Sequence, residues 1–215
     1  HGEMLARLAL IALPAIPAIP TIPAMPALLA VLTLLGPSQA LAQGGDRQFR
    51  LDPTHTFVTF EVLHFGTATL RGRFGPIEGQ ASLNTAAGSG RVQAEIDTAQ
   101  VSTGLAALDT LLKGPLMLSV AEHPRAYFVA QNLSFDPQGR LSSLRGEFTL
   151  RGVSKGLTLT AERYNCYFNP LFRRQVCGGD FIGEITRSDF GITHSLGFVA
   201  DRVRLLVQVE AIEEP

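Results

Sequence analysis

The 215-residue chain has no tryptophan, only two cysteines and no excess of either charge: 18 basic residues against 19 acidic ones give a formal net charge of −1. That balance gives no electrostatic case for a nucleic-acid partner or an anionic membrane surface. H-E-x-x-H, a P-loop and G-x-G-x-x-G are missing as well, so a zincin helix, a phosphate-cradling loop and a dinucleotide fingerprint are not indicated. The two cysteines are not spaced C-x-x-C, which removes the usual redox motif. No long uninterrupted apolar helix can form near the N-terminus either. Proline recurs there at every third position, Pro14, Pro17, Pro20, Pro23 and Pro26, and each interior proline costs a helix about 3 kcal/mol.

What the N-terminus does contain is an ordered set of features: Arg7, an apolar stretch Ala27–Leu35, a Gly36-Pro37 break, and small residues at Ala40 and Ala42. A basic start, a short apolar core and an A-x-A site describe a secretory signal peptide. Residues 1–42 are therefore expected to be removed, leaving residues 43–215 as one domain. About 170 residues suffice for a sizeable core. All thirteen phenylalanines fall in this part.

Period-two alternation runs through it. Val58, Phe60 and Val62 alternate with Thr59 and Glu61. Val92, Ala94 and Ile96 do so with Gln93 and Glu95, and Leu144, Phe148 and Leu150 with Arg145, Glu147 and Thr149. Leu157 and Leu159 are followed by Thr158 and Thr160, and Val203, Leu205, Val207, Val209 and Ala211 form the longest such face. "AAGSG", "FDPQG", "RGVSKG" and "CGGD" read as the turns between them. Short alternating strands with glycine-rich turns predict an antiparallel all-β sandwich or barrel. One segment departs from the pattern. In "STGLAALDTLLKGP", Ser102 or Thr103 is the expected N-cap, Leu105, Leu108 and Leu112 share a helical face, Asp109 and Lys113 are spaced i,i+4, and Gly114-Pro115 stops the helix.

Four histidines lie in this part: His55, His64, His123 and His194. Within one unbroken strand the odd separation of His55 and His64 puts them on opposite faces, so they cannot share a metal there. His64 ends the apolar face begun by Val58, and Arg187 ends another formed by Phe181, Gly183 and Ile185. Either side chain is placed to meet a polar group at an opening. The competing reading of Arg187 is a lock on the local turn through Asp189 or a buried carboxylate. Cys166 and Cys177 flank a loop with Asn169-Pro170 as its turn signal, which in an oxidising compartment favours a disulfide between neighbouring strands. A pair of reactive thiols is the alternative.

"LDPTHTFVTFEVLHFGTATLRGRFGPIEG" resembles the opening of the YceI-like family of exported bacterial lipid-binding proteins. "GEFTLRGVSKGLTL", "ITRSDFGI" and "VADRVRLLVQVEA" are similar to that family's later segments in the same order. The resemblance covers essentially the whole of residues 43–215, and the cysteine loop resembles one subgroup. Two departures stand out. The family's Arg-Asp-x-His-Leu helix reads "LDTLL" here, with Leu111 where a histidine is common, and Leu116, Met117 and Leu118 replace an aromatic pair. Both lie beside the helix expected to border the cavity and leave the shape and chemistry of that border open, but not the barrel.

The resemblance implies an all-β, lipocalin-like antiparallel barrel of about eight strands with one short helix. It also implies a long apolar ligand held inside without covalent attachment: an isoprenoid quinone, a prenyl phosphate or a fatty-amide-like lipid. It further implies a periplasmic or otherwise secreted location, no cofactor, no metal, no catalysis and no membrane span, and it is compatible with a homodimer. The faces expected to point inward carry Val58, Phe60, Val62, His64, Leu70, Phe74, Val92, Ile96, Phe128, Phe148, Leu159, Ile185, Arg187, Leu205 and Val207. A solid packed core is the competing reading of the same residues. Gly72, Gly146 and Gly183 sit on these faces, where the lack of a side chain is expected to leave room for a ligand or to mark a bulge. A lipid hydrolase or metal-dependent enzyme using the cavity, and a filled barrel acting through protein partners, are the other functional classes open to this sequence.

Overall fold

The computed structural model describes residues 44–215; the expected signal peptide lies outside the described residues. Ten antiparallel strands and one α-helix follow in order: β1 (Arg47–Leu51), β2 (Phe57–His64), β3 (Ala68–Phe74), β4 (Glu78–Asn84), β5 (Ser89–Asp97), α1 (Ala106–Lys113), β6 (Arg125–Phe135), β7 (Leu141–Leu150), β8 (Val153–Asn169), β9 (Arg174–Thr186) and β10 (Arg202–Glu213). The sheet runs β1-β4-β5-β6-β7-β8-β9-β10, and a β1–β10 pairing closes it into an eight-strand barrel. The β2–β3 hairpin continues the wall beside β10. Phe57–Glu61 pair with Arg204–Gln208, and further along the same strand Phe49–Leu51 pair with Ala211–Glu213. Ten segments therefore fill eight wall positions.

The break between β1 and β2 has a local cause. Pro53 lacks an N–H to continue a ladder. The buried Asp52 carboxylate accepts from the Thr54 N–H (3.0 Å), the Thr54 hydroxyl (2.7 Å) and His55 Nδ1 (2.7 Å), a side-chain-closed turn. His55 consequently sits in the turn, not in the strand that carries His64. The case of one unbroken strand carrying both histidines therefore does not arise.

Two expectations are corrected. Helix α1 is capped by Leu105, without a side-chain cap bond, and not by Ser102 or Thr103. Gly104 turns the chain with φ +81°, and Thr103 instead gives its N–H and its hydroxyl to Asp109, both at 2.7 Å. Leu105 is left exposed, and the inward face is Leu108, Leu111 and Leu112. "CGGD" is no turn: Cys177–Asp180 lie inside β9. A Cβ on Gly178 would come within 2.1 Å of the Val209 carbonyl oxygen, and one on Gly179 within 2.0 Å of that of Arg163. Both glycines are required by close approach of neighbouring strands, next to a bulge between Ala161 and Arg163.

Candidate functional site: the barrel interior

The inward faces of the eight wall positions enclose a cavity of about 460 Å³. All fifteen residues expected to point inward lie on its wall, as do the alternate residues of β10 from Val203 to Ala211. A packed protein interior leaves few voids larger than a water molecule. The barrel is therefore hollow, which removes the solid-core reading of these residues.

The glycines do not create that space. A Cβ on Gly72 would lie 2.3 Å from the tip of the Phe60 ring, one on Gly146 2.3 Å from the Val129 carbonyl oxygen, and one on Gly183 2.7 Å from a Leu159 methyl. Neighbouring atoms already occupy the positions that side chains would take. Gly146 faces β6 next to a bulge between Ala130 and Asn132, and Gly72 makes room for Phe60 itself.

The cavity opens at one end. Its lining residues there are exposed: His64 and Phe65 at the β2–β3 tip, Leu111 on α1, and His194 and Phe198 in the 192–200 loop. At the other end Phe49, Leu83, Leu141 and Cys177 are buried. The mouth is zipped shut on one flank. Phe65 N–H donates to the Phe198 carbonyl at 2.7 Å, Ala200 N–H to that of Leu63 at 2.9 Å, and the Phe65 and Phe198 rings stack with centroids 5.1 Å apart.

Arg187 organises the same loop. It is 4% exposed and has no carboxylate in hydrogen-bond contact. Nε donates to the Ala200 carbonyl (2.9 Å), Nη1 to those of Ile192 (3.1 Å) and His194 (2.8 Å), and Nη2 to that of Val199 (2.9 Å). These bonds use four of the five guanidinium N–H groups, and the residue lines the cavity. Burial pushes the guanidinium below its ordinary value, opposed by the nearby Asp201 charge. The sequence reading of a turn lock thus identifies the right job with the wrong partners, because the acceptors are loop carbonyls and not Asp189.

The histidines are dispersed: His64 and His194 at the mouth, His123 beside Gly152, and His55 on the outer face. Among the described residues no three His, Cys, Asp or Glu side chains group as a metal site. Gly152–Gly156 spells G-x-S-x-G, but a nucleophile elbow needs a strand-to-helix turn. Ser154 is in β8 and shares a 2.7 Å hydrogen bond with Thr149. Among the described residues no helix is long and apolar enough to cross a membrane.

Several parts of the lining were not among the residues expected to point inward, although the helix around Leu111, Met117 and Leu118 was expected to border the cavity. Phe49, Leu51 and Leu83 come from short strands, Ile77 from the connection between β3 and β4, and Leu108, Leu111, Leu112, Met117 and Leu118 from the helix and its exit. Leu111 and Met117, at two of the departures from the resembled pattern, present apolar surface to the cavity. Tyr164 lines the cavity because the β8 bulge shifts the inward side from Leu157 and Leu159 to an even-numbered position, which a strict period of two cannot anticipate. Cys166 and Cys177 face each other across β8 and β9 and form a disulfide.

A family model described as a YceI-like domain matches residues 49–211. "Protein YceI" of Salmonella arizonae and its counterpart in Salmonella heidelberg are each 30% identical over 161 residues, 74% of this chain and 83% of theirs. Among solved structures, Burkholderia cenocepacia BcnA matches with a TM-score of 0.61 at 19% identity, covering 74% of this chain and 98% of that one. A polyisoprenoid binding domain from Saccharophagus degradans, implicated in plant cell wall breakdown, matches with a TM-score of 0.57 at 16% identity, over 77% and 98%. The structural likenesses bear on the fold, and the shared sequence bears on descent: the chain belongs to the YceI-like family.

Proposed function

We propose that this protein is a carrier for a long isoprenoid or similar amphiphilic lipid, held in the barrel without chemistry and working in the periplasm after export. The observation that carries this reading is the cavity. A void of about 460 Å³ falls within the range of ligand sites, and leaving it empty would cost on the order of 10 kcal/mol by the cavity scale of core substitutions. An apolar chain filling it recovers contacts worth about 0.8 kcal/mol per buried methylene. Eight strands give an interior wide enough for one such ligand. The polyisoprenoid-binding character of the Saccharophagus neighbour supports the same class.

The polar end of the ligand belongs at the mouth. His64, His194 and Ser195 line it, and Arg187 keeps one guanidinium N–H beyond its four loop bonds. That is enough to receive a quinone oxygen, an amide or a phosphate oxygen. Organic extraction of protein purified from cells that export it, followed by mass spectrometry, tests the reading. An intact prenyl or long-chain species in near-stoichiometric amount is expected. No co-purifying lipid, or only hydrolysed fragments, would contradict it.

A further inference from the structure

The β8–β9 hairpin outruns the barrel. The last β7–β8 pair is Ser143 with Thr160, and β9 meets β10 only from Val176 onward. Phe168–Gln175 therefore pair with each other alone. The tip is nonetheless well held: Asn169 Oδ1 accepts from the N–H groups of Leu171 (2.9 Å) and Phe172 (3.3 Å), and the Cys166–Cys177 disulfide staples the stem. This ordered turn presents apolar surface to solvent, with Leu171 88%, Phe168 65% and Phe172 46% exposed. Scattered exposed hydrophobic residues need no explanation, but a contiguous cluster marks an interaction site.

Charge identifies the partner. Arg173 and Arg174 adjoin the cluster, and among the described residues neither has a carboxylate within ion-pair distance, whereas Glu213 and Glu214 nearby are engaged by Arg47 and Arg50. We propose that the tip docks the protein on an anionic lipid bilayer, with Leu171 and Phe172 inserted among the headgroups and Arg173 and Arg174 on the phosphates. Apolar side chains flanked by basic ones are the composition that seats a segment at a membrane interface. The near-neutral net charge of the chain does not oppose this, because the attraction acts within about 10 Å at ordinary ionic strength. The tip lies at the end of β9 opposite the mouth, so a docked barrel keeps its mouth toward the aqueous side. The docking is independent of what the cavity holds.

The chain has no tryptophan, so Leu171→Trp places a single reporter at the tip. With vesicles of phosphatidylethanolamine and phosphatidylglycerol its emission shifts to the blue and is quenched by brominated acyl chains, and with phosphatidylcholine alone it does neither. Arg173→Gln with Arg174→Gln in that background lowers partitioning more than ten-fold, since each basic residue near an anionic surface contributes about five-fold. Phe172→Trp repeats the measurement from the neighbouring position. Unchanged emission from both reporters with anionic vesicles, an equal shift with neutral ones, or partitioning indifferent to the two arginines would overturn the proposal. A lipid-loaded cavity with an unresponsive tip would leave the carrier reading intact.

Discussion

Arg187 ties β9 to the mouth by donating to carbonyls at positions 192, 194, 199 and 200. Truncating it strands several buried acceptors, each worth about 1–3 kcal/mol when left unsatisfied. Arg187→Ala is expected to lose about 3 kcal/mol in chemical denaturation and to loosen the 192–200 loop, seen as faster amide exchange there. Arg187→Lys does not restore the loss, because an ammonium lacks the planar fork. The place of Arg187 at the end of an inward face was legible from the alternation Phe181, Gly183, Ile185. Its partners were not, since carbonyls of a loop up to 13 residues downstream leave no mark on the pattern. His55 gives a second prediction. Its imidazole is raised by the hydrogen bond to Asp52. Burial alone would raise the Asp52 carboxyl, but the bonds from His55 and Thr54 outweigh it and hold the group below its ordinary value. A raised histidine contributes stability below its unfolded value of about 6.5, and that contribution is lost as pH rises through the folded value. A lowered carboxyl contributes above about 3.9, and loses it as pH falls through its folded value. The pair therefore supports the turn most in the mildly acidic range. The urea midpoint should decline slightly as pH rises above about 6.5, and His55→Gln should flatten that decline; an unchanged slope would remove the pair from the account. The effect is small and salt-screened because His55 is largely exposed.

Among the elements, alternating runs were the easiest to read, and β10 shows why. Its apolar residues at 203, 205, 207, 209 and 211 all line the cavity, so one periodic signal reports one buried face. Strands with bulges hid more. In β8 and β6 one extra residue switches the inward side, so Tyr164 and Leu133 face in where an uninterrupted period would turn them out. The double glycine of β9 looked like a turn because close backbone approach and chain reversal both select glycine. The 166–177 hairpin carries a prediction at this scale. Its disulfide closes a short loop, for which the chain-entropy model gives about 2–3 kcal/mol. Replacing both cysteines by serine should lower the melting temperature by several degrees while the far-UV spectrum keeps its β signature. Loss of that signature would mean that the staple is needed to form β8 and β9 at all.

For the molecule as a whole, the barrel was legible and its closure was not. Alternation and turns indicated an antiparallel sandwich or barrel, and the family resemblance implied the barrel of about eight strands. The way β1 and β2 share one flank of β10 depends on a turn held by Asp52, Thr54 and His55. The hollow interior was implied by the resemblance alone, because in the residue pattern the same inward residues would serve a filled core. Leu157, Phe181 and Leu205 line space without filling it, and only the radius set by eight tilted wall positions decides that. Delipidated, refolded protein titrated with a prenyl quinone, a prenyl phosphate and a fatty amide of matched chain length tests the central claim most directly. Micromolar or tighter binding of at least one, one molecule per barrel, strengthening with chain length and leaving the ligand intact, is the predicted result. Absence of binding by all three at micromolar concentration, or recovery of cleaved ligand, would contradict the carrier account.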